Sequence, residues 1–288
     1  MPDSLWPIFW YNRHLFGLIS AIASEIIKEI AAKKNIVVGI FTALHTFGRD
    51  LKRNVHIHLS VTCGGIDSKN KWQKVYFPSE PIKKMWKHRI IDLLREEYKK
   101  VSLVLPSEYK GASNFSKWMK DLYEIKWYVY LQKPSDDHKR NIEYLGRYIK
   151  RPPLAEARIE KYDGKEVTFK FHDHYNNTIE RITMSVFQFI GRLIMHIPDR
   201  HFRMIRYYGF LSNRTRGKLL PVVYKAINQI TPKKIKKLSW RLMIWMNFKK
   251  DPLACKNCNH TMNLTQVYYG LPPPLLMLKL KDIISNYQ

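Results

Sequence analysis

Two pairs of residues in this sequence have the side chains and the spacing needed to cut a phosphodiester. The first is His56-Ile57-His58. Alternate side chains of a strand face the same side, so within a strand both imidazoles point one way and Ile57 points into the core. Two imidazoles side by side can grip one divalent cation, which would polarise a phosphate oxygen as a Lewis acid. A useful site needs a third ligand. His45 on the preceding strand is the first candidate, ahead of Asp50 and of a side chain near Tyr148. The same pattern also fits two histidines that line a solvated sheet face. The second pair is Tyr144 and Tyr148, at i and i+4 and so on one face of a helix. A phenolate can attack a phosphodiester, leaving a 5′-phosphotyrosine link and a free 3′-hydroxyl. The link conserves the energy of the broken bond, so the strand can be rejoined elsewhere. A phenol ionises at about 10 and needs help near neutrality. Arg147, Lys150 and Arg151 supply positive potential and phosphate contacts. Among 17 tyrosines such a spacing also arises in an ordinary helix packing aromatics on its core face.

These residues need elements to hold them. The apolar steps Ile22, Ile26, Ile27 and Ile30 predict a helix over 20–34. The β-branched and aromatic run 36–47 and the run 55–63 predict two strands joined as a hairpin, the second stopped by Gly64-Gly65. A third strand is expected within 69–77, an amphipathic helix over 81–100, and an alternating strand over 126–133. The tyrosines fall in a short helix over 142–149, ended by Arg151-Pro152-Pro153 because proline removes a donor and restricts its predecessor. A hairpin around Asp163-Gly164 follows, then an apolar helix over 183–196. The last third reads as basic and mostly helical, with a lysine run at Lys233–Lys237, and Pro272-Pro273-Pro274 interrupts regular structure there. Irregular alternation of strands and helices indicates an α+β fold.

Lys and Arg number 50 against 24 Asp and Glu, a net charge of +26. Nucleic acid is the first polyanion to expect and an anionic membrane surface the second. Three cysteines make no disulfide framework. The N-terminal residues lack the basic and apolar regions of a signal peptide, and the apolar stretch 15–32 carries Glu25, Lys28 and Glu29. No membrane association and a cytoplasmic, reducing location are therefore expected.

Three runs are more specific than any spacing: GIFTALHTFGRDLKRNVHIHLSVTCGGI, YLGRYIKRPPLAEARI and HIPDRHFRMIRYYGFLSNRTR. In this order they resemble the two-tyrosine HUH transposases of rolling-circle insertion sequences, over nearly the whole chain. The resemblance implies that His56 and His58 are metal ligands for Mg²⁺ or Mn²⁺ and that Tyr144 and Tyr148 are the two nucleophiles. It implies an HUH-type fold: a central antiparallel sheet flanked by helices, with the histidines on a middle strand opposite the tyrosine helix. It further implies single-stranded DNA as substrate, at the element's ends and at the target. Such transposases begin with a cysteine-rich zinc-binding domain and a further strand, which Met1-Pro2-Asp3-Ser4-Leu5 does not supply. The alternative reading is therefore a shortened chain that binds DNA without cutting it.

Other signals fill in the picture. His172-Asp173-His174 repeats the histidine spacing, but a strand would drive Asp173 into the core at several kcal/mol if unpaired, so it reads as a strand end or turn. Cys255, Cys258 and His260 make half of a zinc site; two reduced, unliganded thiols are the preferred reading and Zn²⁺ the lesser one. Arg200, Arg203, Arg206, Arg214, Arg216 and Lys218 are interleaved with Phe202, Tyr207, Tyr208 and Phe210. Guanidiniums on phosphates with rings stacked on bases suit single-stranded DNA. A helix with a buried aromatic face and a solvated basic face fits the same residues. The expected organisation is a nuclease core at 1–155, a hairpin and helical extension at 156–225, and a basic region at 226–288.

Overall fold

The computed structural model describes residues 1–264, apart from 133, 136, 150, 174, 175 and 233–237. The chain divides into two units, Met1–Thr231 and Pro232–Gln288. The first unit is built on an antiparallel sheet of four strands. These are β1 (Val37–Phe47), β2 (Arg53–Ile66), β3 (Trp72–Lys74) and β7 (Ile205–Gly209), in the order β3-β2-β1-β7. Its helices are α1 (Trp6–Tyr11), α2 (Leu15–Ala32), α3 (Ser79–Lys99), α4 (Ala112–Glu124), α5 (His138–Ile149), α6 (Val186–Met195) and α7 (Arg216–Ala226). A second antiparallel sheet is formed by β4 (Ile159–Tyr162), β5 (Glu166–Asp173) and β6 (Thr178–Ser185), in that order. The fold is the α+β arrangement that the sequence indicates.

Period-two patterning decides which way the strands face. Leu44 of β1 and Val55 and Ile57 of β2 enter a core with Phe9, Leu15, Phe16 and Ile19 of α1 and α2, Ile90 and Leu94 of α3, and Trp118 of α4. Further along the same face, Val38 and Ile40 pack on Ile26, Ile27 and Ala31 of α2. One side of the sheet is thus sealed by helices, and the intervening side chains, including all three strand histidines, must point to the other side. A separate small core joins Val167, Phe169, Met184 and Phe189 of the second sheet and α6 to Leu51, which lies in the β1–β2 loop.

Three sequence expectations need correction. Residues 126–132 form no ladder, although their side chains do alternate: Trp127 is buried, Val129 and Leu131 pack on the helical side, and Tyr128 and Tyr130 are exposed. Alternation specifies an extended backbone, and a strand also needs a free edge to pair with. Gly64-Gly65 does not stop β2, because Gly64 pairs with Lys74 and Gly65 with both Val38 and Gln73. A Cβ on Gly65 would lie 2.1 Å from the Val37 carbonyl oxygen, so glycine permits the close pairing there. The third strand, expected within 69–77, is present as Trp72–Lys74. Residues Thr183 to Ser185 finish β6, and α6 starts only at Val186, where Ser185 and Gln188 cap each other's backbone N–H groups at 3.3 Å.

No helix among the described residues is long and apolar enough to cross a membrane. In the second unit, α8 (Trp240–Phe248) is capped by Ser239, and Arg241 forks onto Asp251 at 2.8 and 2.5 Å. Lys233–Lys237 and Pro272-Pro273-Pro274 lie outside the described residues.

Candidate active site

Antiparallel pairing sets His45 opposite His56 and Ala43 opposite His58, so the three imidazoles share the open face of the sheet. Their ring centroids are 4.7–5.4 Å apart. One ring nitrogen from each lies within 4.8 Å of the others, a spacing that one metal ion can bridge. The candidate third ligand named from sequence, His45, therefore stands with the pair. Asp50, the weaker candidate, instead bonds the Lys52 backbone and side chain at 3.1 and 3.2 Å.

The hydrogen bonds of the triad leave lone pairs facing inward. His56 Nδ1 donates to the Asn54 carbonyl at 2.7 Å, which turns its Nε2 into an acceptor. His45 Nε2 donates to the Tyr148 carbonyl at 3.2 Å, while its Nδ1 is buried with no partner among the described residues. His58 Nε2 is likewise buried and unpartnered. Buried acceptors in that state are rare in folded proteins, and a bound cation would satisfy them. Burial keeps all three rings neutral, as ligands must be. It lowers His45, a shift that Arg151 adds to and the Tyr148 carbonyl opposes. Burial, opposed at His56 by the bond to the Asn54 carbonyl and aided at both rings by their imidazole neighbours and Arg151, takes His56 down to about 4 and His58 down to about 3.

The tyrosine helix covers this face. The Tyr148 ring stacks on His58 with centroids 3.8 Å apart and planes 30° apart, and Tyr144 lies 4.5 Å from Tyr148. Both phenols and all three imidazoles converge, although His45 and Tyr148 are 103 residues apart in sequence. Arg151, just beyond α5, acts electrostatically on every histidine of the triad. Lys150 and the side chain of Arg147 lie outside the described residues.

Within the basic-aromatic segment Ile205–Gly209 form strand β7, Arg216 and Lys218 lie in α7, and the strand residues divide between the two faces of the sheet. Tyr207 pairs with Phe41 on the histidine side, with rings 5.5 Å apart. Arg206 pairs with Thr42 and faces α2, where its guanidinium lies 3.1 Å from the position of a Cβ on Gly17. Arg206 therefore faces away from the triad. Arg203, Arg214 and Arg216 are exposed. His172 and Asp173 end β5, as the strand-end reading requires, and His174 lies outside the described residues.

Two arginines near the triad were not singled out from sequence. Arg49 follows β1 and interacts electrostatically with both Tyr148 and Arg151, and Arg158 donates to the Arg49 carbonyl. Arg49 could be noticed locally only as part of a basic connection, and nothing local marks Arg158. Away from this site, Cys255 and Cys258 sit on a turn closed by an Ala254–Thr261 bridge. Backbone N–H groups of Asn257 and Cys258 lower the Cys255 thiol. His260 Nδ1 bonds the Cys258 carbonyl at 3.2 Å, and among the described residues no third ligand groups with the two thiols at metal-binding distance.

Comparison with known proteins places the chain that carries this site among transposases. Residues 39–218 match the family Y2_Tnp, described as "Putative transposase", and the chain belongs to that family. It is 35% identical over 275 residues to the "Transposase for insertion sequence element IS801" of Pseudomonas savastanoi pv. phaseolicola, covering 94% of this chain and 67% of that protein. It is 25% identical over 233 residues to "Putative transposase y4qJ" of Sinorhizobium fredii (strain NBRC 101917 / NGR234), covering 76% of this chain and 58% of that one. No solved structure matches the chain.

Proposed function

We propose that this chain is a metal-dependent HUH-type strand transferase that nicks single-stranded DNA at the ends of an insertion sequence and moves it by transposition. The observation that carries the reading is the stacking of Tyr148 on His58 at 3.8 Å, with Tyr144 beside it and unsatisfied ring nitrogens beneath. His45, His56 and His58 are the metal ligands in this reading. A bound divalent cation would supply Lewis-acid polarisation of the scissile phosphate. Three nitrogen donors without a carboxylate favour Mn²⁺ over Mg²⁺.

The phenolic oxygen of Tyr148 or Tyr144 attacks phosphorus, the P–O3′ bond breaks, and the departing oxygen takes a proton to become a 3′-hydroxyl. The phenol's own proton leaves to solvent. The 5′-phosphotyrosine then waits for a 3′-hydroxyl, whose attack rejoins DNA and regenerates the phenol. Two phenols on one helix face allow two ends to be held in turn. Arg147, Lys150 and Arg151 contact phosphates beside the tyrosines, and Arg203, Arg214 and Arg216 extend the track. With its substrate inside the cell, the protein acts in the cytoplasm.

The test is incubation of the full chain with Mn²⁺ and a 3′-labelled single strand carrying an element end. The label should become covalently attached to protein. Tyr144→Phe with Tyr148→Phe should abolish the adduct, and His58→Ala should abolish cleavage while sparing DNA binding. An adduct that survives the double tyrosine change overturns the assignment. DNA binding with no adduct under any divalent metal makes the protein a binding-only member of its family.

A further inference from the structure

The strap at 126–132 carries the chain from α4 to α5, and only half of its side chains serve the core. Trp127 is buried and donates its indole N–H to the Leu122 carbonyl at 2.9 Å, and Val129 and Leu131 pack against the apolar cluster of α2 and β1. Lys87 of α3 grips the entrance to the strap, donating to the carbonyls of Tyr123 at 2.6 Å and Ile125 at 3.2 Å. The alternation that turns Trp127, Val129 and Leu131 inward turns Tyr128 and Tyr130 outward, where they are 72% and 90% exposed. The strap is therefore an anchored mount for two phenol rings.

A tyrosine ring left in water forgoes the burial that makes aromatics large contributors to cores and interfaces. Two of them side by side on a fixed backbone suit a ligand better than they suit the fold. Alternate side chains of an extended chain stand about 6.7 Å apart. That is about twice the ~3.4 Å rise of stacked bases, so one base fits between the two rings. The charge beside them suits a polyanion. Lys126 Nζ lies 5.4 Å from the Tyr128 ring centroid, and the sequence at 125–135 carries Lys126 and Lys133 and no acid.

We infer that Tyr128 and Tyr130 form a base-stacking platform, with Lys126 on the adjoining phosphate, which holds an unpaired stretch of the single strand outside the cutting site. Stacking on ring faces is tolerant of sequence, because every base has a π-face. The strap leads in sequence into α5, which carries Tyr144 and Tyr148, so platform and nucleophiles belong to one stretch of chain. The inference rests on the strand-transferase reading for the identity of its ligand, and the two can fail separately.

The experiment measures binding of a fluorescently labelled, mixed-sequence single-stranded oligonucleotide to the full chain in EDTA, for wild type, Tyr128→Ala, Tyr130→Ala and Tyr130→Phe. Tyr162→Ala is the control, a change at a tyrosine 65% exposed on β4 of the second sheet. Thermal melts confirm that each variant folds. Each strap alanine should weaken binding about fivefold or more, the loss of one base–ring stack. Tyr130→Phe keeps the ring and should bind as wild type does, as should Tyr162→Ala. The log–log salt slope should keep its wild-type value in the alanine variants, because no charge is removed. On an abasic strand, which keeps the phosphates and offers nothing to stack, wild type and the strap alanines should bind alike. Wild-type affinity in both strap alanines overturns the platform, as does an equal loss on the abasic strand. A loss in Tyr130→Phe equal to that in Tyr130→Ala also overturns it, since the contact would then be the hydroxyl. If wild type forms tyrosine adducts while the strap alanines bind unchanged, the platform fails and the nuclease reading stands. If the stacking losses are seen but adducts persist without both Tyr144 and Tyr148, the nuclease reading fails and the platform stands.

Discussion

Acidifying the metal-free protein sets the histidine triad against its own burial. In the fold His56 is held at about 4 and His58 at about 3, whereas an unfolded histidine ionises at about 6.5. Both folded values are depressed, so the unfolded chain takes up protons first. The stability carried by the neutral rings is complete above roughly pH 6.5 and is lost as pH falls toward the folded values. At about pH 5, proton uptake favours the unfolded chain by RT ln(1 + 10^1.5), about 2 kcal/mol per histidine, while the folded rings gain almost nothing. The two rings together account for about 4 kcal/mol, a large part of the roughly 5–15 kcal/mol that holds a typical domain together. Urea unfolding in EDTA at about pH 7 and about pH 5 measures this. Wild type should lose about 4 kcal/mol more across that interval than the double variant His56→Gln, His58→Gln. Equal losses would show that burial does not hold these imidazoles neutral, and the electrostatic account of the site would fall. Mn²⁺ at about a hundred times its Kd should add about 2.7 kcal/mol to wild type near pH 7 and nothing to the double variant.

Two further outcomes concern the scaffold. Val101 follows α3 in a left-handed conformation (φ +56°) with its side chain 92% exposed, at a position where glycine is usual. Val101→Gly should relieve about 1–2 kcal/mol of backbone strain, offset in part by unfolded-state entropy, and raise Tm by a few degrees in a thermal melt. Gly209 has φ +62° and ends β7, where a Cβ would lie 1.7 Å from the Val38 carbonyl oxygen. Gly209→Ala should cost more than about 3 kcal/mol in urea unfolding, and a smaller loss would mean that the strand pairing there is not needed.

The histidines and tyrosines were legible because their chemistry is local: HxH at strand spacing, YxxxY at helix spacing, each in a run with the matching periodicity. Their convergence was not contained in either spacing and follows from the fold. The extended strap at 126–132 misled because Trp127, Val129 and Leu131 alternate as a strand would, while hydrogen-bond partners are a property of the neighbourhood. Arg206 and Tyr207 are adjacent in sequence and look alike as nucleic-acid contacts, yet strand alternation sends them to opposite faces of the sheet. Arg49 acquires its setting from Arg158 and His172, each more than a hundred residues away, so composition near it reveals only charge.

The three successive loop carbonyls held by Arg158, Arg192 and His196 have a consequence for how the protein comes into being. The histidine hairpin is translated early with the local bonds of its turn, Gly48 N–H to the Lys52 carbonyl among them, but the carbonyls of Arg49, Asp50 and Leu51 gain their side-chain donors only some hundred and more residues later. A nascent chain carrying all three histidines and both phenols would still lack those braces on the turn. Full bracing of this face of the sheet is thereby deferred until His196 has been added to the chain.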